Sequence, residues 1–411
     1  MDAGGTLGVF YDDNVFASHT GAKPDTALVA RPELSWIKQG PNYTFTVDGF
    51  VEGRDYTLSS ENQINGSVGA GFKLMPDNDT QIVGSARYIH GHLDRGSSDT
   101  IVVLPGGGAA LLDSQFASPV SYDEGIESLA LNKRYGNWWS SVGAAGLEVQ
   151  YQNPTIAGAL PFGGTSVDLS YANGTIASVN GRVGYVIAPL TSVFAEVAGN
   201  SRNWGVNYFD SYGYRIVGGL LFEQGPGARL KGEIWAGFMN QQYTGLTMQT
   251  VSSWTYGLSA SVAISDQLTA VFEGHREAKE AALSLAALPS GAIGASDLAC
   301  ATLGGAVCVS AIETEVGGRL DYRILPNLVI GGGATYLELD YQGFLPFGRV
   351  DRTVSPLASI KWLPSPNLTL GFDYRNIAFG SAGGAAQLPF ANVAALSYNR
   401  NVYLVSLNAR W

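Results

Sequence analysis

The sequence has little charge and no long apolar run, and each of these absences excludes a class of protein. Charged residues make up 14% of the 411 positions, while hydrophobic residues make up 45%. A disordered chain needs the opposite balance, with high charge and low hydrophobicity. No stretch approaches the roughly 18 consecutive apolar residues that a membrane-spanning helix requires. The sequence is therefore neither a disordered chain nor a helical membrane protein.

Signals for phosphate binding and for catalysis are also missing. The chain carries 24 Lys and Arg against 35 Asp and Glu, and its net charge of -11 opposes binding to nucleic acid, which requires clustered basic residues. No nucleophile elbow, zinc-protease helix, Walker loop or dinucleotide fingerprint occurs in the sequence. We therefore expect no enzymatic activity, no cofactor, no metal and no nucleic-acid partner.

Two short segments carry side chains that metals bind elsewhere. His90-Gly91-His92 supplies two imidazoles, and Asp12-Asp13-Asn14 supplies the hard oxygen ligands that calcium prefers. The histidines have no cysteine or carboxylate cluster beside them in the sequence, and Asp and Asn are also standard turn residues. We interpret both segments as polar loops.

Glycine and aromatic residues, by contrast, are abundant: 53 Gly, 20 Tyr, 17 Phe and 8 Trp. Over many segments apolar and polar residues alternate, as where Tyr43, Phe45 and Val47 alternate with Thr and Asp. A period of two places one set of side chains on each face of a β-strand. The alternation predicts an all-β chain of about eighteen strands, at 4–12, 26–38, 42–56, 62–75, 80–91, 121–134, 138–152, 171–188, 191–203, 211–224, 228–241, 252–264, 267–279, 310–325, 328–341, 351–363, 367–379 and 398–411.

The segments between these strands come in two sizes that alternate along the chain. After every even strand the connection is short and turn-like, as at Gly136-Asn137 and Ser265-Asp266. After nearly every odd strand it is longer, with 92–120 and 280–309 the longest. An antiparallel up-and-down barrel with turns at one end and loops at the other has this pattern.

Strand length and aromatic position indicate which face of the barrel meets water. Strands of about 9–11 residues, tilted by about 45°, cross a bilayer, whereas strands of soluble proteins average five or six. Aromatic residues of the apolar face cluster near both strand ends, as in the interfacial girdles of membrane barrels: Trp36, Tyr43, Phe72, Trp139, Phe222 and Trp362 beside the turns, and Tyr88, Tyr151, Tyr214 and Phe238 towards the loops. The sequence predicts one transmembrane antiparallel β-barrel over residues 1–411, with its apolar face against outer-membrane lipid.

The polar face of such a barrel lines an aqueous lumen, and its ionised residues are the candidate site. Acidic and basic side chains are nearly balanced there, so the pattern predicts at most a mild preference for cations. Opposite charges on neighbouring strands could equally brace the wall. The predicted lumen residues are Arg31, Glu33, Asp48, Glu52, Arg87, Arg182, Glu196, Arg215, Lys231, Glu233, Glu273, Glu313, Glu315, Arg319, Asp321, Arg323, Lys361, Asp373 and Arg375, to which we add Glu148.

The two ends of the sequence resemble known outer-membrane proteins. Tyr403, Val405, Leu407, Ala409 and Trp411 alternate up to a terminal aromatic residue, which resembles the C-terminal signature that the barrel-assembly machinery recognises. Near the start, the segment 8–15, which contains Tyr11-Asp12-Asp13-Asn14, resembles the first strand of proteobacterial β-barrel porin 2 proteins. Membership of that family implies a channel in the outer membrane of a Gram-negative bacterium, and some members occur beside polysaccharide export machinery.

The two longest loops are unusually apolar and contain both cysteines. Segment 101–112 and segment 278–309 would be liabilities on a cell surface, so we expect one or both to fold into the lumen and narrow the pore. A surface cap or a contact with an identical subunit is the alternative. Cys300 and Cys308 are close enough in sequence to form a disulfide around one loop, which an oxidising compartment permits.

From the sequence we expect a passive, water-filled channel for small polar solutes or ions. One alternative is a secretion channel for an exopolysaccharide, which would receive the polymer from a periplasmic export partner. Another is a structural or adhesive surface barrel with a closed lumen. Bilayer conductance distinguishes the first possibility from the last.

Overall fold

The computed structural model describes most of the chain. The described residues are 1–19, 21–59, 61–96, 101–103, 109–157, 164, 166–205, 207, 209–222, 228–245, 248–287, 306–342, 349–382 and 397–411; for 101–103, 109–112, 115, 280–287 and 306–309 only the backbone is described.

In these ranges the chain forms twenty strands and two short 3-10 helices. The helices, Leu112–Gln115 and Ser170–Ala172, are one turn each. Among the described residues, no helix is long and apolar enough to span a membrane. The strands are β1 (Asp2–Asp12), β2 (Asp25–Gln39), β3 (Tyr43–Tyr56), β4 (Gln63–Asp77), β5 (Thr80–His92), β6 (Ile101–Val103), β7 (Ala109–Leu111), β8 (Ser121–Tyr135), β9 (Trp138–Tyr151), β10 (Gly174–Ala188), β11 (Thr191–Trp204), β12 (Ser211–Phe222), β13 (Leu230–Tyr243), β14 (Val251–Ala263), β15 (Leu268–Ala287), β16 (Ala306–Leu325), β17 (Leu328–Gln342), β18 (Val350–Ser365), β19 (Leu368–Ala382) and β20 (Ser397–Arg410).

Eighteen of the strands form one closed antiparallel barrel. Each pairs with its neighbour in chain order, β5 pairs with β8, and β1 pairs with β20 from Gly4 opposite Arg410 to Asp12 opposite Val402. The predicted all-β barrel of about eighteen strands is therefore confirmed. The two additional strands, β6 and β7, lie in the long connection between β5 and β8.

The short connections all lie at one end of the barrel, because the strands alternate in direction. The turn between β8 and β9 consists of Gly136 and Asn137. Gly136 has φ +60°, a left-handed conformation that glycine adopts without the steric cost that a Cβ would add. The short connections predicted after even strands thus lie at one end of the barrel, which we call the turn end. The longer connections predicted after odd strands lie at the other end, which we call the loop end.

The outer face of the barrel exposes apolar side chains. Leu7 and Val179 are 63% and 62% exposed although both lie in the middle of paired strands. The register aligns outward residues across neighbouring strands, as where Val9 lies opposite both Leu28 and Val405. A barrel with this outer face requires an apolar surrounding.

Aromatic side chains lie near both ends of the outer face, with two corrections to the predicted belts. Trp138, not Trp139, faces outwards beside the turn, where its ring packs 4.9 Å from Tyr185. Trp139 lies over Gly184 on the inner face and packs against Phe194. Tyr151 also lies on the inner face, since its opposite residue, Tyr122, lies over the inward-facing Gly91. The pattern failed at these residues because β9 has aromatic or apolar residues on both faces.

The inner face is not polar throughout. Near the loop end, Phe10, Val15, Ala27, Val29 and Tyr56 form a buried apolar cluster inside the barrel. Phe16 from the loop after β1 packs against this cluster. The connection between β1 and β2 therefore folds inwards over the wall instead of extending away from it.

Candidate functional site

The predicted lumen residues share one face of the barrel wall. The register of every strand pair places all nineteen predicted side chains on the face opposite to the exposed apolar band. Ion pairs that reach across intervening strands identify this face as the concave, inner one. Glu148 is an exception: it lies opposite Gly125 and Thr175, in the outward set.

A four-residue charge network crosses the inner wall from β10 to β13. The Arg182 guanidinium donates to Glu196 on β11 and to Glu233 on β13, the latter at 2.7 Å between Nη1 and Oε2. Arg215 on β12 donates to Glu196 as well, at 2.9 Å. Glu196 is only 1% exposed, so its carboxylate depends on these two guanidinium groups for the polar contacts that water would otherwise supply.

Aromatic rings support this network from the wall. The Arg182 guanidinium carbon lies 4.6 Å from the Phe194 ring centre, and that of Arg215 lies 4.9 Å from the Trp235 ring centre. Both guanidinium groups therefore make cation–π contacts with rings of the same face. The network links side chains of four neighbouring strands.

A second ion pair crosses the wall between β3 and β5. Arg87 donates through Nη2 to both carboxylate oxygens of Asp48, at 2.7 and 2.8 Å, and through Nη1 to Ser67 on the intervening strand. Gly69 lies under the crossing, where an added Cβ would be 2.7 Å from Nη2. Glycine on β4 therefore leaves the space in which Arg87 reaches Asp48.

Two further groups of charges are satisfied locally. Glu52 accepts from Arg54 at 2.8 Å and lies 3.7 Å from Arg31, whose guanidinium stacks on Phe50. Arg319 pairs with Asp321 two positions along β16, at 2.9 Å, and also donates to Ser359.

The remaining inner-face charges are segregated along the barrel axis. Within the described part of the chain, five basic side chains of this face form no ion pair and lie at most four positions from the turn end of their strands: Lys73, Lys231, Arg323, Lys361 and Arg410. On β15 and β16 four acidic residues, Glu273, Glu277, Glu313 and Glu315, share the inner face. The unpaired basic side chains therefore lie at the turn end, whereas these acidic residues extend from the middle of the wall to the loop end.

The first long loop and the β15–β16 hairpin meet over the loop end of the barrel. Strand β6 pairs in parallel with the end of β15, from Leu285 opposite Ile101 to Ala287 opposite Val103. Strand β6 follows β5, which lies eight strands from β15 around the barrel. The two segments therefore meet across the mouth.

The β15–β16 hairpin leaves the wall before it reaches β6. Pairing between β14 and β15 ends at Tyr256 opposite Arg276, while β15 and β16 remain paired to Ser284. Beyond that point Ala278 and Ile312 pack against Met239 and Val251 on the inner face. Arg202 of β11 also donates to the carbonyl of Ala278. The hairpin, which we call the β15–β16 arm, thus bends into the lumen.

The first long loop, which connects β5 to β8, is fixed at its beginning by a buried ion pair. Arg95 donates to both oxygens of Glu61, at 2.6 and 2.9 Å, and both side chains are at least 96% buried. Tyr398 of β20 donates to the carbonyl of Gly96 at 3.4 Å. The loop therefore crosses the inner mouth towards β20 before it reaches the arm.

The Asp12-Asp13-Asn14 segment joins the first strand to the last. The Asp12 carboxylate, fully buried, accepts from Arg400 at 2.6 Å, and Asp13 accepts from the backbone and side-chain amides of Asn401. Asn14 donates to the carbonyl of Asn399. The oxygens that suggested a calcium loop are thus satisfied by protein donors at the β1–β20 seam.

His90 and His92 each have a different partner on a neighbouring strand. His90 Nδ1 lies 2.8 Å from Asp123 Oδ1, and His92 Nδ1 lies 2.9 Å from Asn65 Oδ1. The two rings are 5.7 Å apart and perpendicular. Side-chain hydrogen bonds between strands account for both residues.

The two cysteines and the C-terminal signature are the remaining predicted features. Cys300 lies outside the described residues, and of Cys308 only the backbone is described, so the predicted disulfide also lies outside them. Tyr403, Val405, Leu407 and Ala409 of the C-terminal signature all lie on the outer face, and Trp411 pairs with Ala3 through backbone hydrogen bonds.

Comparison with known proteins identifies the family of the chain. A family model described as "Putative beta-barrel porin 2" matches residues 4–284, which confirms the resemblance carried by the Tyr11–Asn14 segment. No curated protein matches the chain.

Similar solved structures include outer-membrane receptors. The siderophore receptor PirA from Acinetobacter baumannii is 9% identical, with all of this chain and 80% of the receptor covered and a TM-score of 0.45. The ferripyoverdine receptor of the outer membrane of Pseudomonas aeruginosa is 8% identical, with coverages of 100% and 72% and a TM-score of 0.43. At these values the similarity gives no information on ligand or mechanism.

Proposed function

Because the chain belongs to the putative beta-barrel porin 2 family, we propose that it is a channel through which small polar solutes or ions diffuse passively. The observation that carries this proposal is the opposite chemistry of its two faces. Nineteen ionised side chains share the inner face, while leucine, valine and aromatic residues are exposed on the outer face. The inner-face charges that have no ion-pair partner are stable only if water reaches them, and water in an eighteen-stranded barrel forms a path.

The same proposal places the barrel in the outer membrane of a Gram-negative bacterium. Outer-membrane barrels have short periplasmic turns and longer extracellular loops, so the turn end would face the periplasm. Lipid would contact the exposed apolar band, and the barrel-assembly machinery would insert the chain. Passive diffusion requires neither a catalytic residue nor a cofactor.

The segregation of charge supports a specific permeation path. Cations approaching from outside would first meet the acidic residues of β15 and β16. They would then pass the network around Glu196 and leave past the five unpaired basic residues at the turn end. Fixed charges of both signs favour small ions of either sign over large polyanions.

Two alternatives have a structural observation in their favour. The contact between β6 and β15 favours a lumen that is closed at rest, as in a structural or adhesive barrel. The unpaired basic residues at the turn end favour the entry of an anionic exopolysaccharide from a periplasmic export partner. We rank polysaccharide export below passive diffusion, because the acidic residues of β15 and β16 would repel a polyanion at the exit.

Single-channel recording of the purified full chain in planar bilayers tests the proposal. We expect discrete conductance steps in potassium chloride that small neutral sugars reduce. A barrel that inserts, as shown by its resistance to protease, but never conducts would contradict passive diffusion and support a closed lumen. Block of the current by anionic oligosaccharides added only at the turn end would instead favour polysaccharide export.

A further inference from the structure

A histidine and two glutamates converge on the inner wall of the β15–β16 pair. One ligand atom each from His275, Glu313 and Glu315 lies within 4.8 Å of the other two. His275 Nε2 is 3.2 Å from Glu313 Oε1. For a tetrahedral metal bound at about 2.0–2.2 Å, neighbouring ligand atoms are roughly 3.4 Å apart, so this first pair already has the required separation.

The backbone explains why these three side chains meet. His275 on β15 lies directly opposite Glu315 on β16, and Glu313 is two positions away on the same face. The two strands remain paired over seventeen consecutive positions, from Leu268 opposite Tyr322 to Ser284 opposite Ala306. A long ladder of this kind holds the three Cβ atoms in fixed positions, so that small side-chain rotations are sufficient to close the site.

Charge at this place is not balanced by the protein. Lys279 donates to Glu313 Oε2 at 2.8 Å, leaving Oε1 directed towards His275. Glu277 is a further carboxylate, 3.9 Å from His275 Nε2, and Glu273 lies on the same face. Among the described residues, no basic side chain forms an ion pair with Glu315 or Glu273. A divalent cation would offset this excess of negative charge.

We propose that His275, Glu313 and Glu315 bind a divalent transition metal of the zinc class on the lumen wall near the mouth. Imidazole nitrogen selects such metals over magnesium and calcium, which prefer oxygen-only sites. Lys279 would orient the Glu313 carboxylate from the second coordination layer. The site goes beyond passive diffusion, because it provides a metal-binding position within the permeation path.

Isothermal titration of the full chain in detergent with zinc chloride tests the proposal directly. We expect one zinc ion per chain in the wild type, in the presence of excess magnesium. His275→Ala and Glu315→Gln should each weaken binding by more than about tenfold, and Lys279→Met should weaken it less. His90→Ala, which removes a histidine outside the site, should leave the affinity unchanged.

Two outcomes would overturn the proposal: no zinc binding by the wild type, or equal affinity in the Glu315→Gln variant. The isosteric Glu315→Gln and Glu313→Gln variants keep the test valid if His275→Ala fails to fold, which resistance to unfolding by sodium dodecyl sulfate would reveal. Binding is measured without any current, so failure of this proposal is distinguishable from failure of the channel proposal. If the barrel does conduct, zinc should lower the cation current of the wild type and of His90→Ala, but not that of Glu315→Gln.

Discussion

At the residue scale, the sequence predicts the face on which a side chain lies but not its partner. Alternation was sufficient to assign Arg182 and Glu233 to the inner face. Their contact could not be predicted, because β11 and β12 separate them and only the curvature of the closed barrel brings them together. Gly69 is an indirect signal of such a crossing, since a glycine on the inner face provides space for the guanidinium of Arg87.

The Tyr11–Asn14 segment gains a physical explanation from its position at the seam. A barrel must hold its first and last strands together, and among the eighteen described barrel strands β1 and β20 are neighbours that do not follow one another in the sequence. Asp12 and Arg400 provide a buried ion pair at that edge, with 0% and 7% of their side chains exposed. We call this pair the seam ion pair.

Arg400→Ala should destabilise the barrel strongly. The substitution leaves the Asp12 carboxylate buried without its cation, and breaking a buried pair in this way typically costs about 3–5 kcal/mol. Urea titration of the barrel in lipid vesicles, followed by tryptophan fluorescence, measures the free energy of unfolding.

The matched control is Arg352→Ala, which removes an exposed arginine paired with Glu338 at 2.9 Å. Solvent screens such a pair, so we expect no measurable change. Replacing both Asp12 and Arg400 by leucine and methionine should recover most of the lost stability, because no charge then remains buried. Equal stability of Arg400→Ala and the wild type would show that the seam ion pair does not hold the barrel closed.

At the scale of elements, strand bounds were predictable to within a few residues except in the β15–β16 arm, but the apolar face of a strand was not predictable in every case. Strand β8 is such a case: the register aligns Glu127 with Ala86 and Gly146, on the outer face that also carries Leu129. Sequence alone could not assign an apolar face to this strand, because its outer face carries both charged and apolar side chains. Glu148 was misassigned for the same reason.

The length of the β15–β16 arm was also hidden from the sequence. Alternation of apolar and polar residues ends near Lys279, because beyond this point the hairpin is no longer part of the lipid-facing wall. The sequence beyond Lys279 therefore predicts an apolar loop. The structure continues both strands and pairs β15 with β6. An apolar sequence is tolerated there because the arm bends over the lumen instead of extending from the surface.

Replacing residues 101–111 by glycine and serine at equal length should increase the open-channel conductance. The replacement removes β6 and β7 and with them the backbone pairing to β15, while leaving all eighteen barrel strands unchanged. Recording single channels under identical salt conditions gives the comparison. Conductance and closing frequency identical to those of the wild type would mean that the contact between β6 and β15 does not restrict the pore.

At the scale of the whole molecule, charge separation along the axis matters more than net charge. The chain carries -11, yet its inner wall is nearly neutral when all nineteen predicted residues are counted together. What distinguishes the two ends is which charges lack an ion-pair partner. Paired charges have little effect on the potential in the lumen, whereas unpaired ones act on passing ions directly.

Ion selectivity should therefore respond to opposite substitutions at opposite ends. Glu273→Gln combined with Glu277→Gln removes negative charge from the inner face of β15 without altering His275, Glu313 or Glu315, and should move the reversal potential towards anion preference. Lys231→Gln combined with Lys361→Gln removes positive charge at the turn end and should move it towards cations. Both shifts should be larger in dilute salt than at about 1 M, where the Debye length falls to about 3 Å.

The control is Arg352→Gln, which removes a charge from the outer face and should leave the reversal potential unchanged. A substitution in the seam ion pair would not serve as a control, because it alters the stability of the barrel. If both double variants shift the reversal potential in the same direction, or neither does, ions do not pass along the charged inner wall.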